Sequence, residues 1–246
     1  MLAITALLSG CTVGSTTGGT GSTTSQAPQP AIVYAAVGAS ETVGVGATQP
    51  ARDAWPQVFF RNALPRSSVF YDFGVPGATV ASALSDQVPE ALSVEPSLVT
   101  VWLNVNDLIA GISAATFEDE LDQLVRALRR GGAARVLVAN TPYLDRLPAY
   151  LECRAGTPPA GVDCPPALTT TSPAELNADV NAYNSAIADV AQREGAILVD
   201  LHAQGEVPDT HPSWVSGDGF HPSTNGYAAI AAVFAATLKQ AAHNGA

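Results

Sequence analysis

The chain has 246 residues, of which 47% are hydrophobic and 13% are charged, so composition indicates a globular protein of one domain, or at most two small ones. A formal net charge of -11 argues against nucleic acid and anionic lipid as partners, because both are themselves negatively charged. No apolar run reaches the roughly 18 residues that a membrane-spanning helix needs.

Residues 1–30 have the composition of an export signal and a tether rather than of a folded unit. The opening sequence MLAITALLSGC places a short apolar run before Cys11 and resembles a bacterial lipobox, in which the cysteine thiol receives a lipid. We therefore predict a lipoprotein-type signal segment over 1–10, lipidation of Cys11, and a flexible Gly/Ser/Thr/Pro linker over 11–30. These features predict a secreted protein at the bacterial cell envelope, on its periplasmic or extracellular face, with membrane contact through this anchor alone.

From residue 31 onward, five short apolar runs rich in β-branched residues alternate with helical patterns. The runs cover residues 31–38, 68–74, 97–104, 134–140 and 196–202. Such runs are typical of parallel strands buried on both faces, and their alternation with helices implies right-handed crossovers. We therefore predict an α/β fold over 31–246, with three layers (α/β/α) and a five-stranded parallel sheet in the flavodoxin-like order 2-1-3-4-5.

Three helices have clear sequence signals. The first is predicted to begin at Thr116, with acidic residues in its first turn, arginines in its last turn and glycine after it. A second begins with a capping box formed by Ser172 and Glu175 and runs to Gly195. The chain closes with an Ala-rich helix over 223–243.

Cys153 and Cys164 form a pair within the Pro/Gly-rich sequence CRAGTPPAGVDC. We predict a disulfide, which an exported compartment permits and which contributes about 3 kcal/mol in the chain-entropy model. A zinc site is the rival interpretation, but no histidine or further cysteine lies nearby in sequence. The surrounding residues, 142–171, are predicted to be a long loop that walls or covers the binding pocket.

The strand order also predicts where a ligand binds, namely beyond the carboxyl ends of strands 1 and 3, where the winding direction reverses. Ser40 follows the first strand and Asn106 follows the third, so we expect them to face each other. A serine hydroxyl becomes a nucleophile when a base takes its proton, and the reaction also needs donors for the oxygen that becomes negative. Asn106 offers a side-chain amide for that purpose, and Gly77, after the second strand, offers a backbone N–H.

Two Asp/His pairs near the end of the chain compete for the role of base. Asp218 and His221 are three residues apart, a spacing within one turn that lets the carboxylate reach Nδ1 and leaves Nε2 for the serine. Asp209 and His211 are two apart, which does not easily allow that hydrogen bond, and we expect His211 to be a loop residue at the pocket rim near Trp214. No role is predicted for the other histidines, His202 and His243.

These residues, in this order at the strand ends, resemble the SGNH (GDSL-type) hydrolase family over about residues 31–240. The family's first block matches Gly38-Ala39-Ser40, the glycine of its second block matches Gly77, the asparagine of its third matches Asn106, and its fifth matches Asp218, His221 and Pro222.

The resemblance implies a role for each matched side chain. Ser40 would be the nucleophile, His221 its base, and Asp218 the group that orients the histidine. The oxyanion hole would consist of the backbone amides of Ser40 and Gly77 and the side chain of Asn106.

Two positions depart from the family pattern. Ala39 stands where the family usually has an aspartate, which is a signature residue rather than one of the reacting groups. Asn104 stands in place of the usual glycine two residues before Asn106, and it brings either more bulk or another donor near the pocket.

The family implies a serine hydrolase that cleaves carboxylic esters through an acyl-enzyme. We expect short-chain acyl or acetyl esters, on a small molecule or an acylated glycan, because nothing in the sequence resembles a long apolar lid. No cofactor, metal or nucleic-acid partner is expected. Two alternatives stay open: an acyltransferase that uses the same residues, and a cell-surface glycan-binding protein on a degenerate hydrolase fold.

Overall fold

Five parallel strands form a single sheet in the order β2-β1-β3-β4-β5, which confirms the predicted topology. The computed structural model describes residues 31–157, 164, 169–205 and 207–245. The signal segment, Cys11 and the linker lie outside these residues and stay predictions. The strands are β1 (Val33–Gly38), β2 (Val69–Asp72), β3 (Leu98–Trp102), β4 (Arg135–Ala139) and β5 (Ile197–Val199).

Helices connect the strands and cover both faces of the sheet. In chain order they are α1 (Ser40–Val43), α2 (Pro50–Asp53), α3 (Trp55–Ala63), α4 (Val80–Ser85), α5 (Gln87–Ser93), α6 (Val105–Ile109), α7 (Ala114–Arg129), α8 (Pro148–Ala155), α9 (Pro173–Glu194), α10 (Val207–Thr210) and α11 (Thr224–His243). One face of the sheet carries α4, α5, α7 and α9, and the other carries α3 and α11. Across the described ranges, no helix is both long and apolar enough to cross a membrane.

Side-chain alternation along the strands divides the core into two apolar layers. In β1, Ala35 packs in the layer with α7 and α9, whereas Tyr34 packs in the layer with α3 and α11. Because successive strand residues face opposite ways, a strand covered on both faces must be apolar almost throughout. The second layer is rich in aromatic rings, and Trp55 of α3 stacks on Phe234 of α11 with ring centroids 4.1 Å apart.

The register of the sheet aligns the strand ends that carry the candidate residues. Gly38 pairs with Trp102 across β1 and β3, and Ala36 pairs with Asp72 across β1 and β2. Since all five strands are parallel, their carboxyl ends lie along the same edge of the sheet. The segments that carry Ser40 and Asn106 therefore leave the sheet side by side.

Two helix starts test the capping signals. The predicted start at Ser172 is confirmed, because its Oγ accepts the Glu175 N–H at 3.3 Å while Glu175 accepts the Ser172 N–H at 2.9 Å. The predicted start at Thr116 is wrong. Ser113 is the N-cap of α7, since its Oγ accepts the Thr116 N–H at 3.1 Å, and the helix begins at Ala114.

The segment 142–171 is not a single long loop, as the sequence suggested. Residues Pro148–Ala155 form α8, with Pro148 in the first turn, where its missing N–H costs no hydrogen bond. Cys153 therefore lies on a helix, and it packs in an apolar cluster with Leu176 of α9. The predicted disulfide is confirmed, with Cys153 and Cys164 bonded and their Cα atoms 5.5 Å apart.

Asp107 is a fully buried carboxylate that joins α6 to α4. Its Oδ1 and Oδ2 accept the N–H of Val80, the first residue of α4, at 3.0 and 3.3 Å. Burial raises the pKa of Asp107 to about 6, although the hydrogen bond from Val80 lowers it in part.

We predict that Asp107→Asn removes a pH dependence of stability. A folded-state pKa above the unfolded value means that the free energy of unfolding is highest below the unfolded pKa and falls as pH rises through about 6, by up to about 3 kcal/mol. The amide still accepts the Val80 N–H but carries no charge, so the variant should exceed the wild type in stability at pH 8 and lose that advantage near pH 4.

The measurement is urea unfolding of both proteins from pH 4 to pH 8. Glu90→Gln, on the exposed part of α5, is the control for removing a surface carboxylate. A wild-type minus Asp107→Asn difference that stays constant with pH would contradict the assignment.

Candidate active site

Ser40, His221 and Asp218 form a continuous chain of hydrogen-bonding groups at the carboxyl edge of the sheet. Ser40 is the first residue of α1, two residues after β1 ends, and the other two lie in the loop between β5 and α11. His221 Nε2 is 3.0 Å from Ser40 Oγ, and His221 Nδ1 is 2.7 Å from Asp218 Oδ2. The fold thus brings together three side chains that are as much as 181 positions apart in sequence.

The Asp218 carboxylate organises the loop that carries the histidine. Its Oδ1 accepts hydrogen bonds from Ser216 Oγ at 2.7 Å, from the Phe220 N–H at 2.8 Å and from the His221 N–H at 2.9 Å. Burial alone would raise the pKa of Asp218, but these bonds and the imidazole outweigh it and hold the pKa below its usual range. The carboxylate is therefore ionised when it faces His221.

This charge state fixes the tautomer of the imidazole. A carboxylate only accepts hydrogen bonds, so Nδ1 of His221 must be the donor, and Nε2 of the neutral ring is left to accept from Ser40. Glu41 Oε2 lies 3.3 Å from Ser40 Oγ and is a second acceptor for the same hydroxyl proton. Sequence reasoning missed Glu41, which adjoins the serine and lines the pocket beside it.

The predicted oxyanion donors lie around the turn that follows β2. The Val75 N–H donates to Gly38 O at 3.0 Å, which holds this turn against the strand end that precedes Ser40. Asn106 Nδ2 donates to Ala78 O at 2.9 Å, so one amide hydrogen is engaged and the second is left for a ligand. Gly77 lies between Val75 and Ala78 in this turn, and its φ is +79°.

The backbone amides of Ser40 and Gly77 are available for a ligand. Among the described residues, neither N–H donates a backbone hydrogen bond. Ser40 owes this to its place at the start of α1, because the first N–H groups of a helix have no partner within it. The two amides and the Asn106 side chain are the donor types that stabilise a developing oxyanion.

Both departures from the family pattern have structural explanations. Ala39 is buried in the apolar layer that contains α7 and α9. Its methyl group packs there and needs no hydrogen-bonding partner. Asn104 is buried as well, and its Nδ2 lies 3.5 Å from Ala139 O at the end of β4. Its φ of -170° is extended backbone that any residue adopts, so the turn does not require the family's glycine.

Further residues that support the site were not found from sequence. Gln87 of α5 is buried and clamps the Gly38 peptide, accepting its N–H at 2.9 Å and donating to its carbonyl at 3.0 Å. Ser216 donates to the Asp218 carboxylate, as described above. A sequence pattern reveals neither, because Gln87 lies 49 positions from its partner and Ser216 is one ordinary loop serine among many.

The remaining histidines lie away from the Ser40 hydroxyl. His211 stacks on Trp214, with ring centroids 4.0 Å apart, and Trp214 lines the pocket, which agrees with the predicted rim position. His202 stacks on Tyr143, and its Nδ1 is 3.0 Å from Thr141 O. His243 Nδ1 is 2.7 Å from Lys239 O within α11.

A pocket with a volume of about 650 Å³ opens beside His221. Pro142, Tyr143, Leu144 and Leu147 form part of its wall, so the first six residues of the segment 142–171 line the pocket, in agreement with the prediction for that part. Within the described ranges, no group of three or more His, Cys, Asp or Glu residues is placed to hold a metal ion.

The family model for the GDSL-like Lipase/Acylhydrolase family matches residues 36–229. The chain belongs to this family. No curated protein sequence matches it significantly.

Several solved structures share the fold. TesA is 19% identical with a TM-score of 0.63, over 85% of this chain and 98% of its own. A lipase/acylhydrolase from Enterococcus faecalis gives 19% identity and a TM-score of 0.63, over 85% of this chain and 96% of its own. The psychrotrophic esterase EstA from Pseudoalteromonas sp. gives 14% identity and a TM-score of 0.60, over 85% and 97%.

Gly46 supports the histidine loop by leaving room for it. A Cβ at Gly46 would lie 2.7 Å from Pro222 O and 3.0 Å from His221 Cβ, and its φ is +92°. Gly46→Ala is therefore expected to displace His221 and to lower kcat at least about tenfold, since small misplacements of reacting groups are costly.

The matched control is Gly111→Ala. Gly111 also has a positive φ, of +72°, but a Cβ there would meet nothing within 4 Å. The Gly111→Ala variant therefore has the backbone strain, of about 1 kcal/mol, without a steric contact. Steady-state kinetics and thermal melting of both variants separate the two effects. Equal kinetic losses in Gly46→Ala and Gly111→Ala would show that contact with the loop is unimportant.

Proposed function

We propose that the protein hydrolyses carboxylic esters through an acyl-enzyme on Ser40. The observation that carries this proposal is the chain of contacts from Ser40 Oγ to His221 Nε2 at 3.0 Å, and from His221 Nδ1 to Asp218 Oδ2 at 2.7 Å. A nucleophile, a base within reach of its proton and a group that orients the base are the parts that such a reaction needs.

In the first half-reaction, Ser40 Oγ attacks the ester carbonyl carbon while its proton passes to His221 Nε2. The carbonyl oxygen becomes negative and is stabilised by the backbone amides of Ser40 and Gly77 and by the second Asn106 amide hydrogen. Collapse of this intermediate breaks the bond to the alcohol oxygen, which leaves with the proton from His221. The acyl group is then bonded to Ser40.

The second half-reaction repeats the same steps with water. His221 takes a proton from the water, whose oxygen attacks the acyl carbon, and the acid is released as Ser40 regains its proton. Asp218 stays ionised throughout and stabilises the imidazolium that forms at each transfer. The Ser216 hydroxyl and the two backbone amides keep the carboxylate in place for both halves.

An acyltransferase would use the same groups and differ only in the acceptor, so analysis of the products separates it from a hydrolase. A binding protein on a degenerate fold is less well supported. A ligand-binding role gives no reason for a serine, a histidine and an ionised carboxylate to lie in one hydrogen-bonded chain.

We predict that Ser40→Ala lowers ester turnover at least about ten thousandfold and leaves the melting temperature nearly unchanged. The side chain is partly exposed, and the contacts of its hydroxyl are with His221 and Glu41 at the pocket surface. The measurement is hydrolysis of p-nitrophenyl acetate, together with labelling by a fluorophosphonate, which reacts with an activated serine.

Ser216→Ala is the matched serine variant. It removes one of the bonds to Asp218, so turnover should fall roughly tenfold rather than vanish, and labelling should persist. Wild-type turnover in Ser40→Ala would refute the nucleophile assignment. Absence of both turnover and labelling in the wild type would favour the binding protein.

We also propose that the protein is exported and anchored through a lipid on Cys11. The Cys153–Cys164 disulfide supports this, because disulfides persist in oxidising compartments outside the cytosol. In bacterial cells that express the full chain, Cys11→Ser should move the protein from the membrane fraction to the soluble fraction with activity per molecule unchanged. Recovery of the wild type in the soluble fraction would contradict the anchor.

A further inference from the structure

Glu41 is a half-buried carboxylate beside the proposed nucleophile, and no cation of the described chain balances it. It is the second residue of α1, its Oε2 accepts a hydrogen bond from Ser40 Oγ at 3.3 Å, and it lines the pocket next to His221. Among the described residues, no lysine or arginine forms an ion pair with Glu41 or lines this pocket. A partly buried charge without a counter-charge is costly, so its position indicates a ligand that supplies one.

The Ser40 hydroxyl cannot remain the partner of Glu41 during the proposed reaction. Its proton passes to His221 Nε2 as Oγ attacks, and in the acyl-enzyme Oγ is an ester oxygen with no hydrogen to donate. The nearby Tyr227 hydroxyl donates to Val45 O at 2.6 Å, so it is not a replacement. Burial raises the pKa of Tyr227, and the negative charge of Glu41 raises it further, so this phenol keeps its proton. Glu41 therefore loses its Ser40 donor at the stage when a substrate lies beside it.

The charge of Glu41 also opposes the development of negative charge on the substrate. The ester carbonyl oxygen becomes negative while its carbon is bonded to Ser40 Oγ, the atom that lies 3.3 Å from Glu41 Oε2 in this structure. Like charges repel more strongly in a partly buried site than in water, because the effective dielectric constant is lower. A positive charge on the substrate next to Glu41 would offset this repulsion and give the carboxylate its counter-charge.

Aromatic side chains in the same pocket distinguish between kinds of cation. Its lining includes Trp102, Tyr143, Trp214 and Phe220. The Phe220 ring lies edge-to-face against the proposed base His221, with centroids 5.0 Å apart. A quaternary ammonium group, whose charge is enclosed by methyl groups, is attracted to aromatic rings and has no N–H that needs an acceptor. A primary ammonium has three such donors, and most of the remaining wall is aliphatic.

We propose that Glu41 makes the pocket selective for esters that carry a quaternary ammonium group. The proposal rests on the proposed function and deepens it, because the ammonium lies beside Glu41 when the ester carbonyl is held at Ser40. Glu41 contacts the cation and takes no part in bond cleavage, so it determines specificity. The net charge of -11 favours the same substrates, since a negative protein attracts cations from solution.

Either side of the ester can carry the cation, and two pairs of substrates distinguish the sources. Acetylcholine has it on the alcohol, and the ethyl ester of trimethylammoniobutyrate has it on the acyl group. Each is paired with its neutral isostere, in which a quaternary carbon replaces the nitrogen. The first experiment measures kcat/KM of the full wild-type chain on all four esters, each divided by the rate constant for hydrolysis by hydroxide. We expect the cationic ester to exceed its isostere at least about tenfold in one pair, because the carboxylate and the rings both attract it.

The outcomes of this experiment separate the two proposals. A ratio above about tenfold in the first pair assigns the cation to the alcohol, and in the second pair to the acyl group. Turnover of the esters with ratios near one in both pairs overturns the selectivity and leaves the esterase intact. No turnover of any ester overturns the esterase and this proposal with it.

The second experiment tests whether Glu41 causes the selectivity. Glu41→Gln keeps the shape of the side chain and an acceptor for Ser40 but removes the charge, so the ratio of cationic to neutral kcat/KM should fall about tenfold. Glu41→Ala should lower the ratio to a similar extent and serves where Glu41→Gln melts below the wild type. Glu90→Gln removes an exposed carboxylate outside the lining and should leave the ratio unchanged. A wild-type ratio in either Glu41 variant, with a wild-type melting curve, overturns the proposal.

Discussion

The Asp218 carboxylate is the group on which the geometry of the site depends. One oxygen accepts the Ser216 hydroxyl and two backbone amides, which closes the loop into a tight turn, while the other accepts His221 Nδ1. An ionised carboxylate with four donors has few alternative positions, because moving it breaks several charge-assisted hydrogen bonds at once. The tautomer and the orientation of the imidazole, and hence the position of the base relative to Ser40, follow from that one constraint.

The loop is supported by its own backbone and by contacts from two other parts of the chain. The Ser216 N–H donates to His221 O at 2.8 Å, so the loop is closed by its own backbone. The Ala149 N–H of α8 donates to Gly219 O at 3.1 Å, which joins the loop to the helix that carries the disulfide. Gly46 packs so closely against the loop that a Cβ at this position would lie 2.7 Å from Pro222 O and 3.0 Å from His221 Cβ. In the mechanism that we propose, such support keeps the reacting groups in place before a substrate arrives.

Sequence patterns predicted the parts of this protein that are local or periodic. The apolar runs predicted the strands, and the three-residue spacing of Asp218 and His221 predicted their hydrogen bond, because both are short-range consequences of backbone geometry. The strand order was predicted from the alternation of strands with helices, which implies right-handed crossovers. The start of α7 was misplaced because Ser113 and Thr116 are both acceptable N-caps. The contacts of Gln87 and Gly46 connect parts of the chain that only the folded sheet brings together, so no local signal reveals them.

Strand β4 contributes none of the groups assigned to the proposed reaction, yet Pro142, Tyr143, Leu144 and Leu147, which follow it, line part of the pocket beside His221. The pocket is therefore lined in part by a segment that carries none of the groups of the proposed reaction. Insertions or substitutions after β4 can diversify what the enzyme accepts while the strand ends that carry Ser40 and Asn106 stay unaltered. Substrate preference can therefore evolve without substitution of Ser40. For protein engineering, the residues after β4 are a segment that can be randomised separately from that serine.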